Sequence, residues 1–380
     1  MNWGFDVKRG EQKMRKWFIP IFALCLCLLC GCGSTAAQLA EETPAAVNKA
    51  ESGLTLTQTL SVSSEKYLGK DEFASFLSRA EKEYLIPGLN EAAIPQGMSY
   101  CGDTGLIYIS AYFKADSVPS VIVALDAKSG NFAAEYRLFN SDGSPFSSHV
   151  GGLAVAGDHL YVSAKLDNDG NYSVAVIPLA SLPAEGSHDL VIETSVALPV
   201  SPSFLNYSGD ILWVGNFYHP SADYGLSHGM DFTTETADGD YGCYILGYDL
   251  GGDVLGGGSG TAPVPDYVLV APDRIQGMVL CDDGTVLLSQ SYGRKNNSAL
   301  LRYDLDLNRA DGSVPVGGSQ VPAYILDSRV LREEITAMPM TEALAAGPEG
   351  NVLVLFESGA MAYKDGKFRT DHVWSLKLSQ

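Results

Sequence analysis

The stretch QGMSYCGDTGLIYIS, Gln96 to Ser110, returns later in the chain as QGMVLCDDGTVLLS, Gln276 to Ser289. Both open Gln-Gly-Met and place a cysteine (Cys101, Cys281) before an acidic, Gly-containing turn. Both then continue as an apolar strand that ends in Ser. Each is followed by a second matching strand, SVIVALD (Ser120 to Asp126) and SALLRYD (Ser298 to Asp304). Agreement at this many places with a single gap marks an internal repeat, and an internal repeat decides the fold before any local signal does.

The unit recurs more loosely three times. HVGGLAVAGDHLYVS (His149 to Ser163) leads to YSVAVIPL, SFLNYSGDILWVG (Ser203 to Gly215) to CYILGYD ending at Asp249, and TEALAAGPEGNVLVLF (Thr341 to Phe356) to AMAYKDG. Each unit offers a fourth, outer strand: AAEYRLF, LVIETSVAL, DYVLVAP, AYILDS and HVWSLKL. The openings fall near residues 96, 149, 203, 276 and 341, and the first intervals of about 53 residues suit a four-stranded blade. A single four-stranded sheet leaves one face wet, whereas a ring of them buries both faces. The expectation is therefore an all-β fold, a β-propeller over residues 95–380 with five blades favoured; a sixth is open if Leu54 to Val62 (LTLTQTLSV) adds strands. Gly97, Gly151, Gly152 and Gly277 are expected on the innermost strands, where backbones crowd the axis. A longer interval holds an aromatic- and acid-rich insertion, Phe217 to Gly242, expected to fold over the channel mouth as a lid.

Upstream of the repeats, residues 54–94 form an N-terminal extension. Within it Phe73, Phe76, Leu77, Ala80 and Tyr84 recur at helical spacing, which predicts a short helix over Asp71 to Tyr84 capped by Asp71. Residues 33–53 lack large aromatics and nearly all branched apolar residues, so they read as a flexible tether. Residues 1–32 combine basic side chains, an apolar run of 13 residues from Trp17 to Leu29, and Leu-Cys-Gly-Cys at 29–32. That is the order of an export signal, and the run is too short to span about 30 Å of hydrocarbon. Met14, followed by Arg-Lys, is the more ordinary start of such a signal. Leu29, Gly31 and Cys32 resemble the lipobox of bacterial lipoproteins. The resemblance implies cleavage before Cys32, a diacylglycerol on its sulfur, and a lipid-anchored location in the cell envelope outside the cytoplasm.

The repeats HVGGLAVAGDHLYVS and QGMVLCDDGTVLLS also resemble those of the broad superfamily of NHL-repeat, SMP-30-type and streptogramin-lyase-type propellers. The resemblance covers most of residues 95–380 as a repeat pattern. It implies architecture; superfamily members include metal-dependent lactonases, a lyase and many binding proteins. No full set of catalytic or metal-binding positions matches, so none is carried over.

Composition narrows the partners. The chain has a formal charge of −20, and removal of residues 1–32 takes away five basic and two acidic side chains, leaving −23. Such a body repels nucleic acid. Cys101, Cys243 and Cys281 are an odd number without paired spacing, so no disulfide framework is expected. On blade order, Cys101 and Cys281 lie in non-adjacent blades and cannot bond to one another. No C-x-x-C or H-E-x-x-H occurs. DNDGN (167–171) and DLDLN (304–308) lack the Gly and Glu of a calcium loop, having Tyr172 and Pro178, or Arg309 and Pro315, there instead. The segment around Ser259 lacks G-x-S-x-G.

Propeller ligands meet loops at one mouth of the channel. The loops entering the innermost strands contribute Gln96, His149, Ser203, Gln276 and Glu342. Those leaving the second strands contribute Tyr112, Lys114, Lys165, Asn216, Tyr218, His219, Tyr292, Arg294 and Glu357. His149 is the best-placed acid or base by type, because His titrates near neutrality. Two function classes follow. The favoured one is a non-catalytic binding protein that takes a small molecule, a glycan or an envelope protein at the mouth, with no cofactor. The other is an extracytoplasmic enzyme, a lactonase-like hydrolase or lyase, with a divalent metal at the mouth. Three or four carboxylate, amide or imidazole groups converging on one point would favour the enzyme.

Overall fold

A computed structural model describes residues 56–164, 172–220, 225–227, 229–256 and 262–378. Five sheets form the body. After β1 (Ala80–Leu85), blade one is β2 (Ile94–Cys101), β3 (Leu106–Tyr112), β4 (Val121–Asp126) and β5 (Phe132–Asn140). Blade two is β6 (Leu153–Ala156), β7 (His159–Ala164) and β8 (Tyr172–Pro178); β9 (Gly186–Ile192) intervenes before its outer strand β10 (Thr194–Leu198). Blade three is β11 (Phe204–Ser208), β12 (Ile211–Gly215), β15 (Cys243–Asp249) and β16 (Tyr267–Ala271), with the hairpin β13 (Thr234–Thr236) and β14 (Gly239–Tyr241) inserted after β12. Blade four is β17 (Ile275–Leu280), β18 (Thr285–Gln290), β19 (Ser298–Asp304) and β22 (Leu331–Ala337), with β20 (Gly312–Val316) and β21 (Ser319–Ile325) between the last two. Blade five is β23 (Thr341–Ala346), β24 (Val352–Phe356) and β25 (His372–Leu376), and β1 is its outer strand. The inner strands β2, β6, β11, β17 and β23 touch in that order, and β23 returns to β2.

The hydrophobic core is divided as this ring requires. Five clusters of buried side chains fill the five seams between neighbouring blades. On β12, Leu212 and Val214 face blade two, whereas Ile211 and Trp213 face blade four. Every residue of β12 and β24 is therefore buried, and these strands read as continuous apolar runs rather than alternating ones. Outer strands have one wet face, as in β20 and β22.

The repeated glycines and serines hold the inner ring together. A Cβ on Gly97 would stand 2.6 Å from Leu153 N and 2.7 Å from Ser110 Oγ; one on Gly277 would stand 2.8 Å from Glu342 O. Each glycine thus lets the next blade's backbone approach. Ser110 Oγ accepts from Gly97 N at 3.0 Å and donates to Val150 O of the next blade at 2.7 Å. Ser289 Oγ likewise donates to Glu342 O at 2.6 Å. The Gly and Ser of the repeat are one inter-blade device.

The structure corrects several expectations. Residues 71–84 are not one helix: a 3₁₀ turn (Asp71–Phe73) and a single helical turn (Ala74–Leu77) precede β1. Asp71 is not the cap; that position is Lys70, which makes no side-chain capping bond. Phe73 and Phe76 pack against blades four and five, and Tyr84 pairs in β1. Leu56 to Val62 form no strand, which leaves five blades; Leu54 lies outside the described residues. AYILDS is not the outer strand of blade four, since β21 pairs parallel with β16 of blade three. In the same way β9 adds parallel to β5 of blade one. HVWSLKL is the third strand of blade five, and the AMAYKDG segment is a 3₁₀ turn at Met361–Tyr363. Cys101, Cys243 and Cys281 are free thiols. No helix among the described residues is long and apolar enough to cross a membrane.

Candidate functional site at the channel mouth

At the end of the ring where inner strands begin and second strands finish, three inner strands share an irregularity. The register of β2 slips between Pro95 and Met98, that of β17 between Ile275 and Gly277, and that of β23 between Thr341 and Leu344. The extra residues include Gln96, Gln276 and Glu342. A bulge re-aims side chains and interrupts pairing. Just upstream of these three strands, Ala92, Arg274 and Met340 carry φ of 65°, 65° and 69°, so the approach to each is held in left-handed backbone.

The bulges of blades one and five meet at one point. Gln96 is 6% exposed, and its Nε2 donates to Glu357 Oε2 at 2.9 Å and to Pro95 O at 3.0 Å. Glu342 is 5% exposed and hydrogen-bonds Glu357. Two carboxyl groups side by side cannot both ionise cheaply. Burial pushes Glu342 well above the usual carboxylate range, and the charge of Glu357 and their mutual hydrogen bond push it further. Burial likewise raises Glu357 to about 7, opposed by hydrogen bonds from Gln96 and Glu342 and by the cations Arg294 and Lys114. Near neutrality the pair shares one proton.

Aromatic rings wall this point. Tyr363 is buried, and its hydroxyl lies 3.1 Å from that of Tyr112. Burial raises Tyr363 first, then the nearby Glu357 and Tyr112. Tyr112 stacks on the exposed His149, with centroids 4.1 Å apart and planes 25° apart. Lys114 Nζ and Arg294 Cζ stand 4.9 and 4.7 Å from the centre of the Tyr363 ring. Arg294 is tied to Asp365 at 2.8 Å. A second aromatic group sits at the blade three–four seam, where Tyr292 lies 4.4 Å from His219 and 6.4 Å from Phe217, centre to centre. Asp273 nearby is raised by burial, with Arg274 and His219 acting against it.

Of the residues expected at the mouth, Gln96, Glu357, Tyr112, His149 and Arg294 therefore gather in one cluster with Glu342 and Lys114. His219 and Tyr292 form the second group, and Gln276 occupies its own half-buried bulge. Asn216 is structural: buried, it accepts Tyr244 N at 2.6 Å and donates to Gly242 O at 3.2 Å, pinning the base of the insertion. Tyr218 packs against Gly242 and the blade three–four core. Lys165 lies outside the described residues. Tyr363 was not legible as a site residue, because AMAYKDG reads as a strand; an aromatic ring among small residues directly after a second strand is the signal it did carry. Among the described residues no group of three or more His, Cys, Asp or Glu side chains is placed to hold a metal ion. The convergent groups are two carboxyls and one amide, three in all, which is the number expected of an enzyme at the mouth.

The described residues of the insertion pack largely on the core rather than over the channel; Tyr224 and His228 lie outside the described residues. Its first residues, Phe217 and His219, reach Tyr292. Beyond them Met230 is fully buried with Phe232 and Tyr241 against the blade two–three core. The β13–β14 turn is clipped to the Asp327–Ser328 turn: Ala237 N donates to Asp327 Oδ2 at 3.1 Å, and Ser328 N to Asp238 Oδ2 at 2.7 Å.

No known protein family matches the chain, and no curated protein matches its sequence. Among solved structures it is similar to a putative oxidoreductase (glucose dehydrogenase) from Thermus thermophilus, at 15% identity over 79% of this chain and 99% of that one, with a TM-score of 0.43. It is also similar to the PQQ-bound aldose sugar dehydrogenase of Streptomyces coelicolor, at 12% identity over 78% and 96%, TM-score 0.40. A third likeness is to hydrazine synthase of Kuenenia stuttgartiensis, at 14% identity over 68% of this chain and 55% of that one, TM-score 0.33. Likenesses this distant leave the chemistry of the mouth to its own residues.

Proposed function

We propose that this chain is a lipid-anchored, extracytoplasmic β-propeller that binds a glycan at the channel mouth. The supporting observation is the gathering of planar hydrogen-bonding groups, Gln96, Glu342 and Glu357, beneath the rings of Tyr112, His149 and Tyr363. Paired acceptors and donors in a plane suit neighbouring hydroxyls, and aromatic faces pack on the C–H face of a sugar ring. A glycan array probed with residues 33–380 tests it. Retention of particular glycans by the wild type and not by Glu357→Ala supports the reading; an array without specific retention defeats it. The anchor is tested separately. Cys32→Ser should accumulate as an unprocessed precursor or leave the membrane fraction, and a variant processed and fractionating like wild type would remove the lipoprotein reading.

A second reading is an enzyme, and the carboxyl pair is what favours it. A protonated and an ionised carboxyl in contact can give and take a proton in one step, as hydrolases and lyases require. Turnover of a retained glycan or of a simple lactone, lost in Glu357→Gln with binding intact, would replace binding by catalysis.

A further inference from the structure

We propose that the seam which closes the ring carries a proton-operated latch: Glu342 and Glu357 of blade five, with Gln96 of blade one, hold the mouth in one arrangement while they share a proton and release it when both carboxyls ionise. Blades one and five meet at the only seam joining the two ends of the repeat, and β23 lies against β2 there. On the mouth side the two blades are tied by Gln96 Nε2 donating to Glu357 Oε2 at 2.9 Å and by the hydroxyls of Tyr112 and Tyr363, 3.1 Å apart. Glu342 supplies the other hydrogen bond to Glu357 from the neighbouring bulge.

The groups facing the pair come from three blades. Gln96, Tyr112 and Lys114 belong to blade one, with His149 stacked beyond Tyr112. Tyr363 belongs to blade five. Arg294, held by Asp365, reaches across from blade four. With one proton, Glu342 donates to Glu357, whose remaining acceptor capacity takes Gln96. Without it, two adjacent anions repel in a site that excludes most water. Glu342 is buried on a bulge, whereas Glu357 is half-buried and begins a loop. Glu357 therefore moves, toward Lys114 and Arg294 at the rim, and its bond to Gln96 breaks. Glu357 loses its own proton near 7, and burial and the charge of Glu357 hold Glu342 well above the carboxylate range, so the shared proton leaves, and the latch opens, on the alkaline side of neutral pH.

The sign follows from linkage. A carboxyl raised in the folded state holds its proton more tightly there than in the unfolded chain. Its contribution is complete below the ordinary value and is lost as pH rises through the folded value. Above pH 7 the wild-type unfolding constant should go on rising by up to about tenfold per pH unit as the shared proton is lost. Glu342→Gln keeps a hydrogen-bond donor to Glu357 but removes the shared proton, so its profile should level off above pH 7, once Glu357 has ionised. The side-chain amide signals of Gln96, assigned with Gln96→Glu, should shift over the same window in the wild type and stay fixed in the variant. Equal pH slopes in both proteins, or amide signals that do not move in the wild type, would overturn the latch. If Glu342→Gln does not fold, Glu357→Gln makes the same comparison.

Discussion

Gly277 shows how one missing atom serves the ring. Its position against Glu342 O and Ala343 Cα, at 2.8 and 2.9 Å from where a Cβ would be, makes Gly277→Ala an overpacking change rather than a helpful loss of chain entropy. It should cost about 1–3 kcal/mol, read as a lower denaturant midpoint with unchanged slope. The cost has a second consequence, because the displaced backbone carries Glu342. The repeat Gln-Gly-Met was legible because this crowding admits only glycine in blades one and four. The pairing of Gln96 with Glu357 was not, since the two residues stand far apart in sequence and meet only through ring closure.

Elements within a blade were legible in proportion to their closeness to the axis. First and second strands such as β17 and β18 are mostly enclosed between neighbours and appear as apolar runs joined by a short turn. Outer strands alternate well enough to be recognised as strands, but alternation does not say which sheet receives them. AYILDS pairs with β16 by a parallel ladder through Val268, Leu269 and Val270, a partner set by tertiary packing. The insertion after β12 shows the same limit: its aromatic content suggested a ligand lid, yet Phe232 and Tyr241 pack with Met230 on the core. Replacing Tyr218 to Asp240 with a short Gly-Ser turn should therefore destabilise the fold, since removal of Met230 alone is worth about 2–5 kcal/mol. Thermal melting checks this; a deletion variant melting like wild type would return the segment to the surface.

For the molecule as a whole, closure depends on the N-terminal segment. β1 completes blade five, and the chain before it crosses from blade one, where Leu56 N donates to Glu135 Oε2 at 3.0 Å, to blade five, where Ser61 N and Val62 N each donate to Asp371 Oδ2 at 2.9 Å. Burial acts to raise Asp371, but the hydrogen bonds from His372, Val62 and Ser61 outweigh it and hold the carboxyl below its ordinary 3.8. A depressed carboxyl stabilises the fold above its unfolded value and loses that contribution as pH falls through the folded value. Acid unfolding of the wild type should thus steepen below pH 4, and Asp371→Asn should start less stable and flatten that limb. Identical acid limbs in the two proteins would separate Asp371 from ring closure.

The most direct test of the ligand site is calorimetric titration of residues 33–380 with the glycan retained most strongly on the array, comparing wild type, Glu357→Ala, Tyr112→Ala, and the control Asp126→Asn, which lies at the opposite end of blade one. The expected result is at least about tenfold weaker binding, some 1.4 kcal/mol, in both mouth variants, with the control unchanged. Equal affinity in the mouth variants and the wild type would contradict a glycan site at the channel mouth.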